Sequence, residues 1–192
     1  MKNSKKLSDK LLGKDREVIP NIAFRIMTAI MKLIDFFWKY SSKNFETLEL
    51  KPGQTVIDYG CGPARYIQKA SKIVGKSGKV IAVDIHPLAI RNVETKIKKY
   101  NLRNVEVVLA DGYTTPIVSS SADVVYALDM FHMIKQPTEL LTELCRLLKQ
   151  DGILIIEDGH QPRSETIQKI ENSGVLKIIQ ETKFHLKCKK NI

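Results

Sequence analysis

No apolar run in this chain is both long enough and free enough of charge to cross a bilayer. The longest apolar stretch, Ile22 to Tyr40, is broken by Arg25, Lys32, Asp35 and Lys39, and a spanning helix needs about 20 predominantly apolar residues. No apolar block follows the basic start Met1-Lys2-Asn3-Ser4-Lys5-Lys6, so a secretory leader is not expected. Cysteine is scarce. Cys61, Cys145 and Cys188 are scattered and odd in number, so they make neither a disulfide framework nor a zinc spacing. A cytoplasmic, reducing setting is expected. Internal repeats and domain-separating linkers are also missing. Acidic residues are outnumbered: 21 Asp and Glu face 31 Lys and Arg, a formal net charge of +10. That balance could attract an anionic partner, whether nucleic acid, a membrane surface or an acidic small molecule; solvated lysine faces are the plainer explanation.

What is present is an alternation of apolar strands and amphipathic helices after residue 50. Val56-Ile57-Asp58-Tyr59-Gly60-Cys61-Gly62-Pro63 reads as a buried strand ending in an acid and turning through two glycines. Glycine lets the backbone bend there and lets a ligand come close. Val80-Ile81-Ala82-Val83-Asp84 is a second strand ending in an acid, and Val105 to Asp111-Gly112 a third. Strands are expected at 54–59, 79–84, 104–109, 122–127 and 153–158. Helices are expected at 63–73, from Pro87 to about Tyr100, from Pro137 to near Lys149, and at 164–172. Two strands flank Thr182-Lys183. Such alternation predicts a parallel α/β sheet, which binds ligands beyond the carboxyl ends of its strands. Asp58, Asp84 and Asp111 would then share one rim. A carboxylate at position 58 opposes a pyrophosphate and suits a ligand carrying a cationic amine.

These motifs resemble class I S-adenosylmethionine-dependent methyltransferases of the small, UbiE-like type. The resemblance rests on Val56 to Pro63, on Ala82-Val83-Asp84-Ile85-His86-Pro87, on Ala110-Asp111-Gly112-Tyr113, and on Leu147 to Ile156. It spans roughly residues 50 to 190. It implies a Rossmann-like, doubly wound, mostly parallel seven-stranded sheet with an antiparallel C-terminal strand. It implies S-adenosyl-L-methionine as cofactor. Asp58, Gly60, Cys61 and Gly62 would surround its methionine part, and Asp84 would bind the ribose hydroxyls. Ile85 would pack on adenine, Asp111 would accept from the adenine amino group with the Gly112 amide beside it, and Leu128 would also contact the cofactor. One departure is Ala64, where the family often carries a third glycine; only a modest shift of the turn is expected.

Residues 1–45 form an N-terminal helical extension outside this pattern, and 46–192 the cofactor-binding domain. Ile22, Ile26, Ala29, Ile30, Leu33, Ile34, Phe37 and Trp38 recur at helical spacing. The helix packs on the sheet domain or acts as a lid, with Trp38 and Tyr40 the candidates for facing the pocket.

A sulfonium methyl is already activated, so positioning and exclusion of water supply much of the rate. A base is needed only when the acceptor must lose a proton. His132, after the fourth strand, is the candidate base; a histidine that contacts ligand without titrating fits the same position. Asp129 alone does not make a catechol-type metal site, and no metal is expected. The fourth strand is not followed by the Asn/Asp-Pro-Pro-Tyr of exocyclic base methylation, and no Pro-Cys pair serves cytosine methylation. A small-molecule acceptor, lipid- or quinone-like, therefore stands ahead of nucleic acid, and peripheral membrane contact stays open. Two other readings remain. A nicotinamide enzyme would need glycine where Arg65 stands in the Gly-x-Gly-x-x-Gly pattern. A non-catalytic adenosylmethionine- or RNA-binding protein would keep the fold without turnover.

Overall fold

A computed structural model describes residues 19–38 and 45–191, without the side chains of 35–38. Helix α1 (Asn21–Trp38) precedes the alternating region. There follow β1 (Thr55–Tyr59), α2 (Ile67–Val74), β2 (Lys79–Asp84), α3 (Pro87–Tyr100), β3 (Val105–Leu109) and β4 (Ala122–Ala127). A short 3-10 turn, Phe131–Met133, leads to α4 (Pro137–Leu147), β5 (Leu148–Glu157), α5 (Arg163–Ser173), β6 (Leu176–Glu181) and β7 (His185–Lys190).

The seven strands form one sheet in the order β3-β2-β1-β4-β5-β7-β6. β1 pairs in parallel with β2 and β4, β2 with β3, and β4 with β5. β7 runs antiparallel to both β5 and β6. The expected doubly wound, mostly parallel architecture is what forms.

Strand alternation divides the core between the two faces of the sheet. Val56, Val80, Ala82, Val124 and Tyr126 pack with Ile67, Ala70 and Val74 of α2 and Ala89 and Val93 of α3. On the other face Ile57, Ile81, Val83, Val125, Leu154 and Ile156 meet Leu140, Leu141, Leu144 and Leu147 of α4 and Ile170 of α5. Strand order reverses at β1, since the chain winds outward to β3 and then returns to place β4 on the other side. The crevice at that switch point, beyond the carboxyl ends of β1 and β4, is where such sheets take ligands.

Two elements depart from the sequence expectation. The helix expected from residue 63 begins only at Ile67. Ala64 has φ +61°, a left-handed conformation that no α-helix can include, so residues 63–66 are turns. α4 ends at Leu147, and β5 begins at Leu148 rather than at 153. Leu148 already pairs with Ala122, and a register shift follows before Val124 meets Ile153.

Candidate active site

The crevice is a cavity of about 1250 Å³ at the carboxyl ends of β1, β2, β3 and β4. It exceeds the roughly 300–1,000 Å³ that holds one drug-sized ligand. Asp58, Gly60, Cys61, Gly62, Asp84, Ile85, Asp111, Gly112, Leu128 and His132 all line it. These are the ten residues singled out from sequence.

The turn after β1 is built from positive φ angles at alternate positions: Gly60 at +79°, Gly62 at +47° and Ala64 at +61°. The Gly60 and Cys61 amides both donate to the Val83 carbonyl, at 2.8 and 3.0 Å. This ties the turn to β2. Asp84 completes the brace. Its Oδ2 accepts from the Gly62 amide and its Oδ1 from the His86 amide, each at 2.8 Å. A carboxylate oxygen can accept more than one hydrogen bond, so Asp84 can hold the turn and still meet a ligand's hydroxyls. This bracing role was not legible in the sequence. Burial pushes the Asp84 carboxyl up, and the two amides oppose that shift.

Asp58 is buried beside Tyr126, its register partner across β1 and β4. Its Oδ2 has no hydrogen-bond partner in the described structure. Burial, and after it the charge of Asp84, pushes the Asp58 carboxyl up to about 8, while Tyr126 and Lys96 offset part of the shift. At neutral pH this environment therefore holds Asp58 mostly protonated. The Cys61 thiol is buried, and burial raises it well above the usual range, so it is an inert lining group.

Asp111 is exposed, and its backbone pairs with Thr114. Gly112, at φ +57°, has nothing within 4 Å of where a Cβ would stand, and it lines the cavity beside Asp111. His86 caps α3 by accepting from the Leu88 amide at 3.1 Å, and its other ring nitrogen lies 3.0 Å from the Ile19 carbonyl. Phe24 of α1 stacks on the His86 ring at 4.3 Å. These contacts fasten α1 to the loop that opens α3, beside the cavity.

Sequence reasoning missed part of the lining. Ile19, just before α1, and Ala23, Phe24, Met27 and Met31 of α1 enter the wall, as do Met130, Met133 and His160. Trp38 and Tyr40, the residues expected to face the pocket, lie outside the described side chains. Helical spacing identified the α1 segment but not which of its turns meets the rim.

A sequence profile described as a methyltransferase domain matches residues 50–190. The chain belongs to the methyltransferase domain family. Among curated methyltransferases, the ubiquinone/menaquinone biosynthesis C-methyltransferase UbiE of Shewanella sp. (strain W3-18-1) is 25% identical over 158 residues, covering 81% of this chain and 62% of the relative. A demethylmenaquinone methyltransferase of Lactobacillus johnsonii is 28% identical over 130 residues, covering 67% of this chain and 53% of the relative. The chain thus spans little more than half the length of these two enzymes. The crystal structure of a SAM-dependent methyltransferase from Aquifex aeolicus superposes with a TM-score of 0.69 at 26% identity, covering 84% of this chain and 96% of that one. The resemblance to class I S-adenosylmethionine-dependent methyltransferases drawn from the motifs is borne out. Among the described residues, no helix is long and apolar enough to cross a membrane.

A first consequence for this methyltransferase domain concerns Asp84. Asp84→Ala removes both the brace and the expected ribose acceptor. Affinity for adenosylhomocysteine, measured by calorimetric titration, should fall by about 1–3 kcal/mol. Unchanged affinity would remove Asp84 from the ligand site.

Proposed function

We propose that this chain transfers the methyl group of S-adenosylmethionine to a small, largely apolar acceptor by in-line displacement. The observation that carries the reading is the convergence of Asp58, Asp84 and Asp111 with the β1 glycine turn on one oversized cavity of a methyltransferase fold. The cavity exceeds what one nucleoside ligand fills, so an acceptor fits beside the cofactor. Asp58, which lacks a partner on Oδ2, receives the cofactor's ammonium. Asp84 receives the ribose hydroxyls, and Asp111 with the Gly112 amide receives the adenine edge. Residues 46–192 hold the cofactor, and α1 of the N-terminal extension covers it.

The acceptor is met by Met27, Met31, Met130, Met133 and Ile134, all of which line the cavity. Methionine fits irregular apolar ligands well. The apolar lining favours a lipid- or quinone-like molecule over nucleic acid. Likeness to enzymes named for quinone C-methylation supports the same class. The protein holds the reacting pair about 3 Å apart in line and excludes water. As the methyl moves, the carbon–sulfur bond breaks and its electron pair stays on sulfur. Positive charge disappears, so no oxyanion hole is required.

His132 stands at the acceptor end, after β4. His132→Ala is expected to cut turnover about 10²-fold or more while leaving adenosylhomocysteine affinity within about twofold. Full activity of the variant on the true acceptor would remove His132 from the reaction. The reading as a whole is tested by incubating the protein with isotope-labelled methyl donor and separated small-molecule, lipid and RNA fractions of a cell extract. Label in a small-molecule or lipid fraction is expected. Label in RNA alone would overturn the acceptor class, and no label in any fraction would favour a non-catalytic binder.

A further inference from the structure

Asp129, His132 and His160 come together at the acceptor end of the cavity, and all three line it. Asp129 and His132 follow β4, while His160 follows β5. Only pairing of those two strands makes them neighbours. One ligand atom from each lies within 4.8 Å of the other two. His160 Nε2 stands 4.0 Å from Asp129 Oδ1, and the two imidazoles meet edge to face at 4.9 Å.

Two further features favour this grouping. Asp129 adopts φ +55°, an uncommon conformation for a residue with a side chain. Gly159 has φ +64°, and a Cβ there would overlap the His132 ring. The backbone beside His160 gives up a side chain so that His132 can lie against it.

We propose that these three residues bind one divalent transition-metal ion that takes the oxygen of the acceptor; the acceptor part of the claim rests on the methyltransferase reading above. Two imidazoles and one carboxylate suit Zn²⁺, Fe²⁺ or Mn²⁺ better than Mg²⁺ or Ca²⁺, which prefer all-oxygen shells. Three protein ligands leave coordination positions open toward the cavity. Bonds of about 2.0–2.2 Å require donors roughly 3–3.5 Å apart, so the cluster must tighten by about 1 Å. His160 is exposed, with 82% of its side chain accessible, and a rotamer change there supplies the movement.

The chemistry narrows the acceptor to one with a phenolic or enolic hydroxyl. Bound to the ion, that hydroxyl loses its proton to water near neutral pH. The resulting anion attacks the methyl through oxygen or through the conjugated carbon. The carbon–sulfur bond breaks, and its electron pair remains on sulfur. His132 then works as a ligand and does not itself take the proton.

The test is calorimetric titration of the full chain with zinc alone, without donor or acceptor. One equivalent is expected to bind at micromolar affinity or tighter. His160→Ala and His132→Ala should each weaken it by about tenfold or more, while His160→Ala keeps its affinity for adenosylhomocysteine and so proves folded. Absence of zinc binding would overturn the proposal, as would zinc binding undiminished in the His132→Ala/His160→Ala double variant. The two readings separate cleanly. Site-specific zinc binding without any methyl transfer sinks the activity and leaves the ion site standing. Methyl transfer that persists after chelation, in protein that binds no zinc, sinks the ion site alone.

Discussion

Asp58→Asn is expected to stabilise the empty protein at pH 8 and to remove most of its affinity for adenosylhomocysteine. An aspartate in an unfolded chain ionises near 3.9; in the fold, burial pushes Asp58 up to about 8. Across that window the folded state keeps a proton that the unfolded chain has lost. Asp58 therefore subtracts stability as pH rises from about 4 to about 8. Asparagine has no such proton to lose. The melting-temperature advantage of the variant should widen between pH 5 and pH 8, and a pH-independent gap would contradict the assignment.

The same residue behaves in the opposite sense toward ligand. A cationic amine binds the ionised form of Asp58, so wild-type affinity should rise close to tenfold between pH 6 and pH 7, with a proton released on binding. Asparagine keeps the shape but not the charge. Affinity should fall by about 10- to 100-fold, since hydrogen bonds to charged groups contribute about 1.5–3 kcal/mol. A residue that destabilises the fold and tightens the ligand is the signature of a functional carboxylate. A purely structural aspartate would lose stability on substitution instead.

Gly60→Ala should damage both the fold and the ligand site. Gly60 stands at φ +79°, and an added Cβ would lie 2.8 Å from Met130 Cγ. The left-handed backbone alone costs alanine about 1–2 kcal/mol, and Met130 must move within the cavity wall. Gly174→Ala is the control. It carries φ +69° and ψ −10°, in the left-handed region, with nothing within 4 Å of the new methyl. Both variants should lose stability to the positive φ. Only Gly60→Ala should also lose adenosylhomocysteine affinity, by more than about tenfold. Equal affinities in the two variants would mean that the turn does not approach the ligand.

Strand ends were legible because burial on both faces of β1 and β2 writes apolar runs that end at Asp58 and Asp84, while β3, an edge strand, keeps a β-branched run up to Asp111. Those runs, with the glycines after the first, were enough to gather ten residues on one rim. The start of α2 was not legible. Alanine is a strong helix former, and nothing local announces that Ala64 takes a left-handed conformation to finish the turn. His160 was not legible either, because it joins Asp129 and His132 only through the β4–β5 pairing. The raised Asp58 carboxyl needs burial at the centre of the sheet with Asp84 nearby, and strand order supplies both. The α1 wall residues depend on where that helix crosses the rim, which the Phe24–His86 stack decides.

Calorimetric titration of the protein at pH 7 with adenosylhomocysteine, and separately with NAD, bears most directly on the claim that this rim holds an adenosyl amino acid. One equivalent of adenosylhomocysteine should bind, with proton release that disappears in Asp58→Asn, and NAD should give no saturable heat. Saturable NAD binding beside a silent adenosylhomocysteine titration would contradict it.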